Sequence, residues 1–521
     1  MLSNETAFPW LTALIAVAVV AAGALWLVKP LHKVARPYGL AISVLILAGF
    51  IAAAATGFDV AEAGTVQLRE TYSWIPAIGT SIAWGVNGMG LVMIGLAVFL
   101  VPLVLLAAWP ELDGESDSRA AGYVAWILFL EAVMIGIFAA QDVFLFYILF
   151  EVMLLPVFFL IGRYGGENRQ RAAVKFLVYS LVGGLVMLVG VVAVYVMGPG
   201  GPQGFLIDNL AGAISGTSTA QMLVFLSFFF AFAVKAPMFP VHTWLPDATE
   251  QAPAGTSTLL VGVLDKIGTF GMIALCLPLF PEAAAEAATP IMVFAVISIL
   301  WGGFMAIASK NLMRLIAYTS VSHFGFMVLG IFSGNSVAMT GAILYMVAHG
   351  VATGALFLTV GFLARRGKSY EIASYGGWQR VTPLIAGSFL VAGLASIALP
   401  GLSGFIPEYL ILLGTYKVNA TLAIAAVFGV ILAAVYILLP YQRIFTGPRP
   451  AVEAADMDGR EKTVSALLIV GMLFLGFGPA PVLDTIRPVA ETHAELIATN
   501  SDSAAASAAE AAAVVAEGST K

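Results

Sequence analysis

The chain has 521 residues, of which 60% are hydrophobic and 10% charged, and its mean hydropathy is +0.97. A soluble fold of this length cannot bury so much apolar surface, so the composition predicts a polytopic membrane protein. The net charge is −6 and the basic residues are spread over short loops, which excludes nucleic acid as a partner.

The apolar runs predict an all-α polytopic membrane protein with 14 transmembrane helices, since each run is long enough to cross a bilayer. The first run has no basic residue before it and is longer than a signal-peptide core, so we expect it to be retained. The predicted spans are 8–28, 38–56, 84–109, 119–140, 142–162, 173–197, 219–240, 254–280, 289–309, 312–332, 337–364, 382–415, 418–442 and 463–482.

The distribution of Lys and Arg predicts the orientation of these spans. With the N-terminus outside, the inward segments hold eighteen of the 24 basic residues, the outward segments hold four, and two lie inside spans. Fourteen spans then place both termini on the outer side. After Asp484 the chain is rich in Ala, Ser and Glu, which predicts a disordered or weakly helical outward tail.

Two spans contain helix-breaking prolines beside a charged residue. Span seven holds Lys235 followed by Pro237 and Pro240, and span twelve holds Pro400 and Pro407 followed at once by Glu408. Proline has no N–H, so each one frees a backbone carbonyl. Irregular backbone at membrane depth is tolerated only where protein or water meets it.

Because the broken spans are five apart, they predict two inverted five-helix repeats, made of spans 4–8 and 9–13. The evidence for this symmetry is the position of the helix breaks and the number of spans between them. The predicted organisation is an N-terminal three-helix segment at 1–118, a first repeat at 119–280, a second repeat at 289–445, a final helix at 446–483 and an Ala-rich tail at 484–521.

Further ionisable residues lie in the middle of spans, where a charge costs about 2.5 to 3.5 kcal/mol on insertion scales. An unpaired buried carboxylate takes up a proton and an unpaired buried Lys loses one, so we expect Glu151 and Lys235 to form a pair that keeps both charged. The remaining candidates form a predicted line of proton acceptors linked by water: Lys266, His323, His349 and Glu408.

Purely structural roles are the alternative. Glu151 and the lysines then only hold helices together, and His323 and His349 are neutral histidines that are hydrogen-bonded inside the bundle. His242 follows Pro240 and is expected to be a loop or cap residue. A zinc site built from His242, Asp247 and Glu250 lacks a recognised ligand spacing.

Three further acids are left with open roles. Asp265 precedes Lys266 but points to another helix face, where it either tunes Lys266 through a water or binds a lipid-facing Arg. Glu131 and Asp142 lie toward the ends of spans four and five and are interpreted as helix-end acids, with a direct role in proton transfer as the alternative. The single cysteine, Cys276, excludes a disulfide within the chain and a thiolate-held cluster or metal.

Four segments carry a family resemblance over roughly residues 85–445. They closely resemble the antiporter-like membrane subunits of respiratory complex I, the proton-pumping NADH:quinone oxidoreductase. The segments are KAPMFPVHTWLPDATEQAPAGTSTLLVGVLDKIGTFG, FYILFEVMLLPVFFLIGRYGG, NLMRLIAYTSVSHFGFM and LPGLSGFIPEYLIL.

Within that family the chain is most similar to the M-type subunits, which have Glu in the broken twelfth helix, where Glu408 stands here. The tail also lacks the long lateral helix of the L type. The resemblance implies that Glu151 and Lys235 are the family's ion pair and that Lys266 is its central proton carrier. It further implies bridging roles for the two span histidines and a distal acid at Glu408, whereas Asp265 departs from the expected apolar residue.

The resemblance also implies the setting of the chain. We expect a translocase subunit in a bacterial inner membrane, in contact with lipid and with L-type and N-type neighbours. No cofactor is expected on this chain, since flavin, iron–sulfur clusters and quinone chemistry belong to other subunits. Two alternatives stay open: a subunit of a multi-subunit sodium/proton antiporter, and a purely structural membrane subunit.

Overall fold

The computed structural model describes residues 8–214, 216 and 218–518, with side chains up to residue 501, and this part of the chain is mostly helical. The α-helices are Trp10–Leu27 (α1), Ala35–Gly57 (α2), Gly88–Ala107 (α3), Asp117–Ala139 (α4), Val143–Val152 (α5), Leu154–Tyr164 (α6), Arg169–Met197 (α7), Ile207–Leu210 (α8), Thr219–Lys235 (α9), Trp244–Gln251 (α10), Ala254–Leu259 (α11), Lys266–Gly271 (α12), Leu277–Leu279 (α13), Pro281–Ala308 (α14), Leu312–Phe332 (α15), Ser336–Gly367 (α16), Pro383–Ser396 (α17), Phe405–Val418 (α18), Ala420–Phe445 (α19), Gly459–Phe477 (α20) and Ala480–Gly518 (α21).

Eleven helices of the described part are long and apolar enough to cross a membrane, or up to twelve if the pair α20 and α21, bent by 64°, counts as one span. Here α11 to α13 count as one continuous helix, as do α5 and α6. Two more apolar helices, α9 and α17, are shorter. Each is followed, after a break, by another helix. These findings establish a polytopic membrane protein, whereas the count of fourteen spans stays a prediction.

A β-hairpin corrects the all-α prediction. Strand β1 (Gln67–Ile75) pairs antiparallel with β2 (Thr80–Val86), and Tyr72 lies opposite Ile82. Both strands are rich in β-branched and aromatic residues, which favour strands. Residues 84–86 at the end of the second strand fall within the predicted span three (84–109), because apolar strand residues extend the apolar run of the helix that follows.

Glu70 on this hairpin caps the start of α1. Its carboxylate accepts hydrogen bonds from the backbone N–H groups of Leu11 (2.8 Å) and Thr12 (3.1 Å), and the residue is only 1% exposed. Orphan N–H groups in the first turn of a helix favour a carboxylate there. The hairpin is therefore fixed to the end of the bundle.

Of the two alternatives predicted for the tail, disordered or weakly helical, the described residues are helical, and the part whose side chains are described packs against the bundle. Helix α21 begins at Ala480 and packs against α14, α16 and α3. The sequence pattern explains this packing, since Ile486, Val489 and Ile497 are buried on one helical face. Residues 519–521 of the predicted tail lie outside the described residues.

The helices that carry the candidate residues lie at the centre of the bundle. The apolar window of α15 is 100% buried and that of α16 is 94% buried, whereas that of α2 is only 22% buried. His323 on α15 and His349 on α16, each 2% exposed, therefore face protein and not lipid.

Candidate functional site

The break in span seven places a lysine at a helix end. Helix α9 stops at Lys235 because Pro237 cannot donate to the carbonyl of Ala233, which accepts instead from the N–H of Met238 at 3.0 Å. The carbonyl of the residue before Lys235 accepts from the indole N–H of Trp244 at 2.9 Å. The C-terminal end of a helix carries partial negative charge, so this position favours an ammonium group.

The break in span twelve places an acid at the start of a helix. Helix α17 ends at Ser396, and the irregular stretch that follows leads to Glu408 in the first turn of α18. Gly404 allows this crossing, since a Cβ there would lie 2.2 Å from the carbonyl oxygen of Ala395. The positive end of α18 favours the carboxylate of Glu408, which is 4% exposed.

Span eight is interrupted in a way that the sequence analysis did not predict. Two π-helical segments, Leu260–Leu264 and Met272–Cys276, flank the α-helical turn that begins with Lys266. Nζ of Lys266 donates to the carbonyl oxygen of Val261 at 2.5 Å, inside the first π segment. π-bulges free backbone carbonyls and are frequent at functional sites.

Five buried side chains form a chain of contacts from span eight to span twelve, which we call the central file. Nζ of Lys266 lies 2.7 Å from Nδ1 of His349, and the His349 and His323 rings have centroids 5.1 Å apart. The ring of Tyr345 lies 5.7 Å from that of His323, and its hydroxyl donates to Oε2 of Glu408 at 2.9 Å. All five side chains are at most 4% exposed.

Two tyrosines of this region were missed by sequence reasoning. Tyr345 precedes His349 by four residues and therefore lies on the same helix face. This spacing in the sequence is enough to predict that Tyr345 lies near the histidine. The hydroxyl of Tyr436 on α19 lies 3.1 Å from Nε2 of His323. Nothing in the local sequence distinguishes Tyr436 from a packing residue.

Glu151 and Lys235 lie within electrostatic range, but they do not form the predicted direct pair. Within the described residues, neither Oε1 of Glu151 nor Nζ of Lys235 has a hydrogen-bond partner. The carboxylate of Glu151 lies against Gly184, where a Cβ would be 1.6 Å from Oε1. The ammonium of Lys235 lies instead over the rings of Phe176 (5.1 Å) and Trp244 (5.9 Å).

Asp265 is completely buried, which excludes an interaction with a lipid-facing Arg. Among the described residues, Lys235 and Lys266 lie within electrostatic range of its carboxyl group. Asp265 therefore belongs to the same charged region as the two intramembrane lysines.

The remaining acids and His242 lie outside the file. Asp142 caps α5, as expected for a helix-end acid: it accepts from the N–H groups of Phe144 and Leu145 and from Thr80 and Ser81 of the hairpin. His242 lies in the connector after α9 and accepts from the indole of Trp301 at 3.1 Å.

The acids that had been considered with His242 for a zinc site have cationic partners. Asp247 binds Lys175 (2.6 Å) and Arg314 (2.5 Å), and Glu250 binds the same Arg314 (2.7 Å). These ion pairs join α7, α10 and α15.

Glu131 on α4 is fully buried in the middle of a span and not at a helix end. Among the described residues, both of its carboxyl oxygens lack a hydrogen-bond partner. The interpretation as a helix-end acid is therefore wrong for Glu131.

The chain matches a family model described as NADH:quinone oxidoreductase/Mrp antiporter, TM, over residues 140–433. It is 42% identical to NADH-quinone oxidoreductase subunit M of Mycobacterium tuberculosis, with 93% of each chain covered. It is 35% identical to NAD(P)H-quinone oxidoreductase chain 4 of Gloeobacter violaceus, with 94% of this chain and 93% of the relative covered.

Two solved structures have the same fold. A chain of respiratory complex I from Thermus thermophilus superimposes with a TM-score of 0.85 and 32% identity, covering 94% of this chain and 99% of that one. A chain of the Mrp complex from Dietzia superimposes with a TM-score of 0.83 but only 20% identity, over 94% and 99% of the two chains, which shows the fold alone. On the family match and these identities, the chain belongs to the antiporter-like membrane subunits of NADH:quinone oxidoreductase, in the subunit M group.

Proposed function

We propose that this chain moves protons through the interior of the membrane along the central file, as one pumping unit of an NADH:quinone oxidoreductase. The observation that carries the proposal is the buried line from Lys266 to Glu408. Each of its side chains can accept and release a proton or pass one through a hydrogen bond. Such groups are costly at membrane depth, so their concentration in one line favours a proton path.

The chemistry of the file follows from its contacts. Lys266 and His349 already share a hydrogen bond, so a proton passes between Nζ and Nδ1 without a change in helix positions. The step from His349 to His323 needs a ring rotation or one bridging water, because the ring centroids are 5.1 Å apart. Tyr345 then joins the histidine pair to Glu408.

In this proposal, Glu151 and Lys235 form the input side of the unit. An approach of the Glu151 carboxylate stabilises Lys235 in its charged form, and its withdrawal favours the release of a proton toward Lys266. The gap between the two side chains represents the separated arrangement. Their separation and approach are the local event by which a neighbouring subunit drives the file.

We propose the following membrane arrangement. Each of the pairs α9–α10 and α17–α18 completes one crossing as a broken helix, which gives fourteen spans with both termini outside. Spans 4–8 and 9–13 are inverted repeats, and the charges support this, since Lys235 ends one half-helix and Glu408 begins another. The chain holds no cofactor, its redox chemistry lies in other subunits, and its neighbours are the L-type and N-type chains in a bacterial inner membrane.

The experiment that tests this function uses the intact complex in proteoliposomes. Lys235→Ala and Glu151→Ala are each expected to leave assembly intact and to lower proton pumping strongly. Wild-type pumping in both variants would contradict the proposed role of Glu151 and Lys235. Purification of the chain with flavin- and iron–sulfur-containing partners supports the complex, whereas purification with antiporter-type chains alone supports a sodium/proton antiporter.

A further inference from the structure

Asp265 is a buried carboxyl group to which the file assigns no role. It is 0% exposed, and in the described part of the chain neither of its carboxyl oxygens has a hydrogen-bond partner. It stands between the first π segment and Lys266, at a position where the backbone is locally irregular. A buried carboxyl without a hydrogen bond destabilises a fold, so its position calls for a physical explanation.

The packing of α12 shows which way Asp265 faces. Gly268 lies one turn after it, and a Cβ at Gly268 would be 2.5 Å from the carbonyl oxygen of Phe232 and 2.6 Å from the N–H nitrogen of Ala236. Residues three apart share a helix face, so Asp265 is on the face of α12 that meets the end of α9. The side chain at that end of α9 is Lys235.

The charges of the region agree with this placement. Asp265 lies within electrostatic range of both Lys235 and Lys266. It directly precedes Lys266 in the chain and faces the helix end that carries Lys235, so its carboxyl group is near both intramembrane lysines. Glu131 provides the contrast: among the described residues it is also buried without a hydrogen bond, but no lysine lies within electrostatic range of it.

We propose that Asp265 carries the proton from Lys235 to Lys266, a step that rests on the proposed function. Nζ of charged Lys235 gives a proton to the Asp265 carboxylate, which leaves a neutral amine and a carboxylic acid. The Asp265 O–H then gives its proton to the neutral amine of Lys266, which restores the carboxylate. The net charge of the three groups is the same throughout, so no additional charge has to be placed in the low-dielectric interior.

The test uses the complete complex with Asp265→Asn, Asp265→Leu and Asp265→Glu, and with Cys276→Ser as a control for a polar change elsewhere in the same span. Asp265→Asn keeps the shape of the side chain but cannot carry a proton. It is expected to lower quinone reduction coupled to pumping by about tenfold or more. Asp265→Glu is expected to recover most of the activity, and Cys276→Ser to behave as wild type.

Infrared difference spectroscopy during turnover distinguishes proton transfer by Asp265 from a purely structural role, because a structural carboxyl group gives no band that changes during turnover. The account predicts a carboxylic-acid band that changes during turnover and is lost in Asp265→Asn, although the complex assembles normally. Wild-type pumping and an unchanged spectrum in Asp265→Asn overturn the inference.

Lys266→Met separates the inference from the proposed function. If Lys266→Met abolishes pumping while Asp265→Asn pumps as wild type, the file stands and the relay through Asp265 fails. If Lys266→Met also pumps normally, the proposed function itself fails.

Discussion

Nζ of Lys266 lies 2.7 Å from Nδ1 of His349, although the two residues are 83 positions apart in the chain. Lys266 follows a π-helical segment of span eight, and His349 lies in the middle of α16. The contact joins the two predicted repeats at the centre of the bundle. The same contact connects the amino group of Lys266 directly to the histidine pair, His349 and His323.

Replacing His349 by Leu is expected to lower pumping by about a hundredfold, since it removes the acceptor beside Lys266 while keeping a buried side chain. Quinone-coupled proton uptake in proteoliposomes measures the effect. The control is His32→Asn, at a histidine outside the file whose ring contacts the carbonyl of Leu25. Equal pumping by His349→Leu and by the control contradicts a role for His349.

Tyr345→Phe removes the hydroxyl that donates to Glu408. Loss of a buried hydrogen bond to a carboxylate costs about 1 to 3 kcal/mol, and here it also interrupts the file. The expected result is a clear loss of pumping with normal assembly. Tyr179→Phe removes a hydroxyl bonded to Thr243 outside the file and is expected to pump normally. Similar losses in the two variants exclude a specific role for Tyr345.

Gly184→Ala tests the position of Glu151. The new Cβ would be 1.6 Å from Oε1, so the carboxylate must move, and the flexible end of a side chain moves at little cost to the fold. We expect normal assembly with reduced pumping. Gly23→Ala, where a Cβ meets nothing within 4 Å, is the matched control. Unchanged pumping in Gly184→Ala shows that the position of this carboxylate does not matter.

Glu461 joins α20 to the end of α16. It is 1% exposed and binds Arg365 at 2.5 Å and Arg366 at 2.7 Å. Removal of one partner from a buried ion pair costs about 3 to 5 kcal/mol, so Glu461→Ala is expected to lower the melting temperature of the purified complex by several degrees. The exposed Asp484, 3.9 Å from Arg487, supplies the control Asp484→Ala, for which no change is expected. An unchanged melting temperature in Glu461→Ala refutes the assigned contribution.

The Asp247 cluster predicts a pH dependence of stability. The Asp247 carboxylate binds Lys175 at 2.6 Å and Arg314 at 2.5 Å, and both ion pairs need its charged form. These cationic partners favour the charged carboxylate in the folded state, so the stability that they supply is present at neutral pH and is lost as the pH falls and the carboxylate takes up a proton. Glu250 and Arg171 also line the pocket around this cluster.

Accordingly, the melting temperature of the complex should exceed that of Asp247→Asn at neutral pH, and the difference should shrink in acid. The control is Asp113→Asn, at an exposed partner of Arg36, with no difference expected at either pH. A difference that grows as the pH falls has the wrong sign for this account.

Much of the fold could be predicted from composition and proline placement. Apolar runs determine where helices lie, because backbone groups in lipid must be bonded within the helix. Helix α15 is observed at the predicted residues 312–332, and the breaks occur beside Lys235 and before Glu408. The ionisable members of the file were found because a charge inside a span is costly and therefore conspicuous.

The remaining features depend on contacts that a linear pattern does not contain. The π segment Leu260–Leu264, just before Lys266, is not accompanied by a proline that would indicate it in the sequence. Tyr436 enters the site only because α19 packs beside α15. The separation of Glu151 from Lys235 depends on how far each side chain reaches across a helix interface, and sequence spacing does not determine that reach.

The most direct test of the central claim is proton pumping by the assembled complex carrying Lys266→Met, measured in proteoliposomes as the proton gradient formed per quinone reduced. Lys266 joins the input side to the histidines, so the account predicts that the variant assembles and forms a greatly reduced gradient. A wild-type gradient per quinone in Lys266→Met would contradict the account.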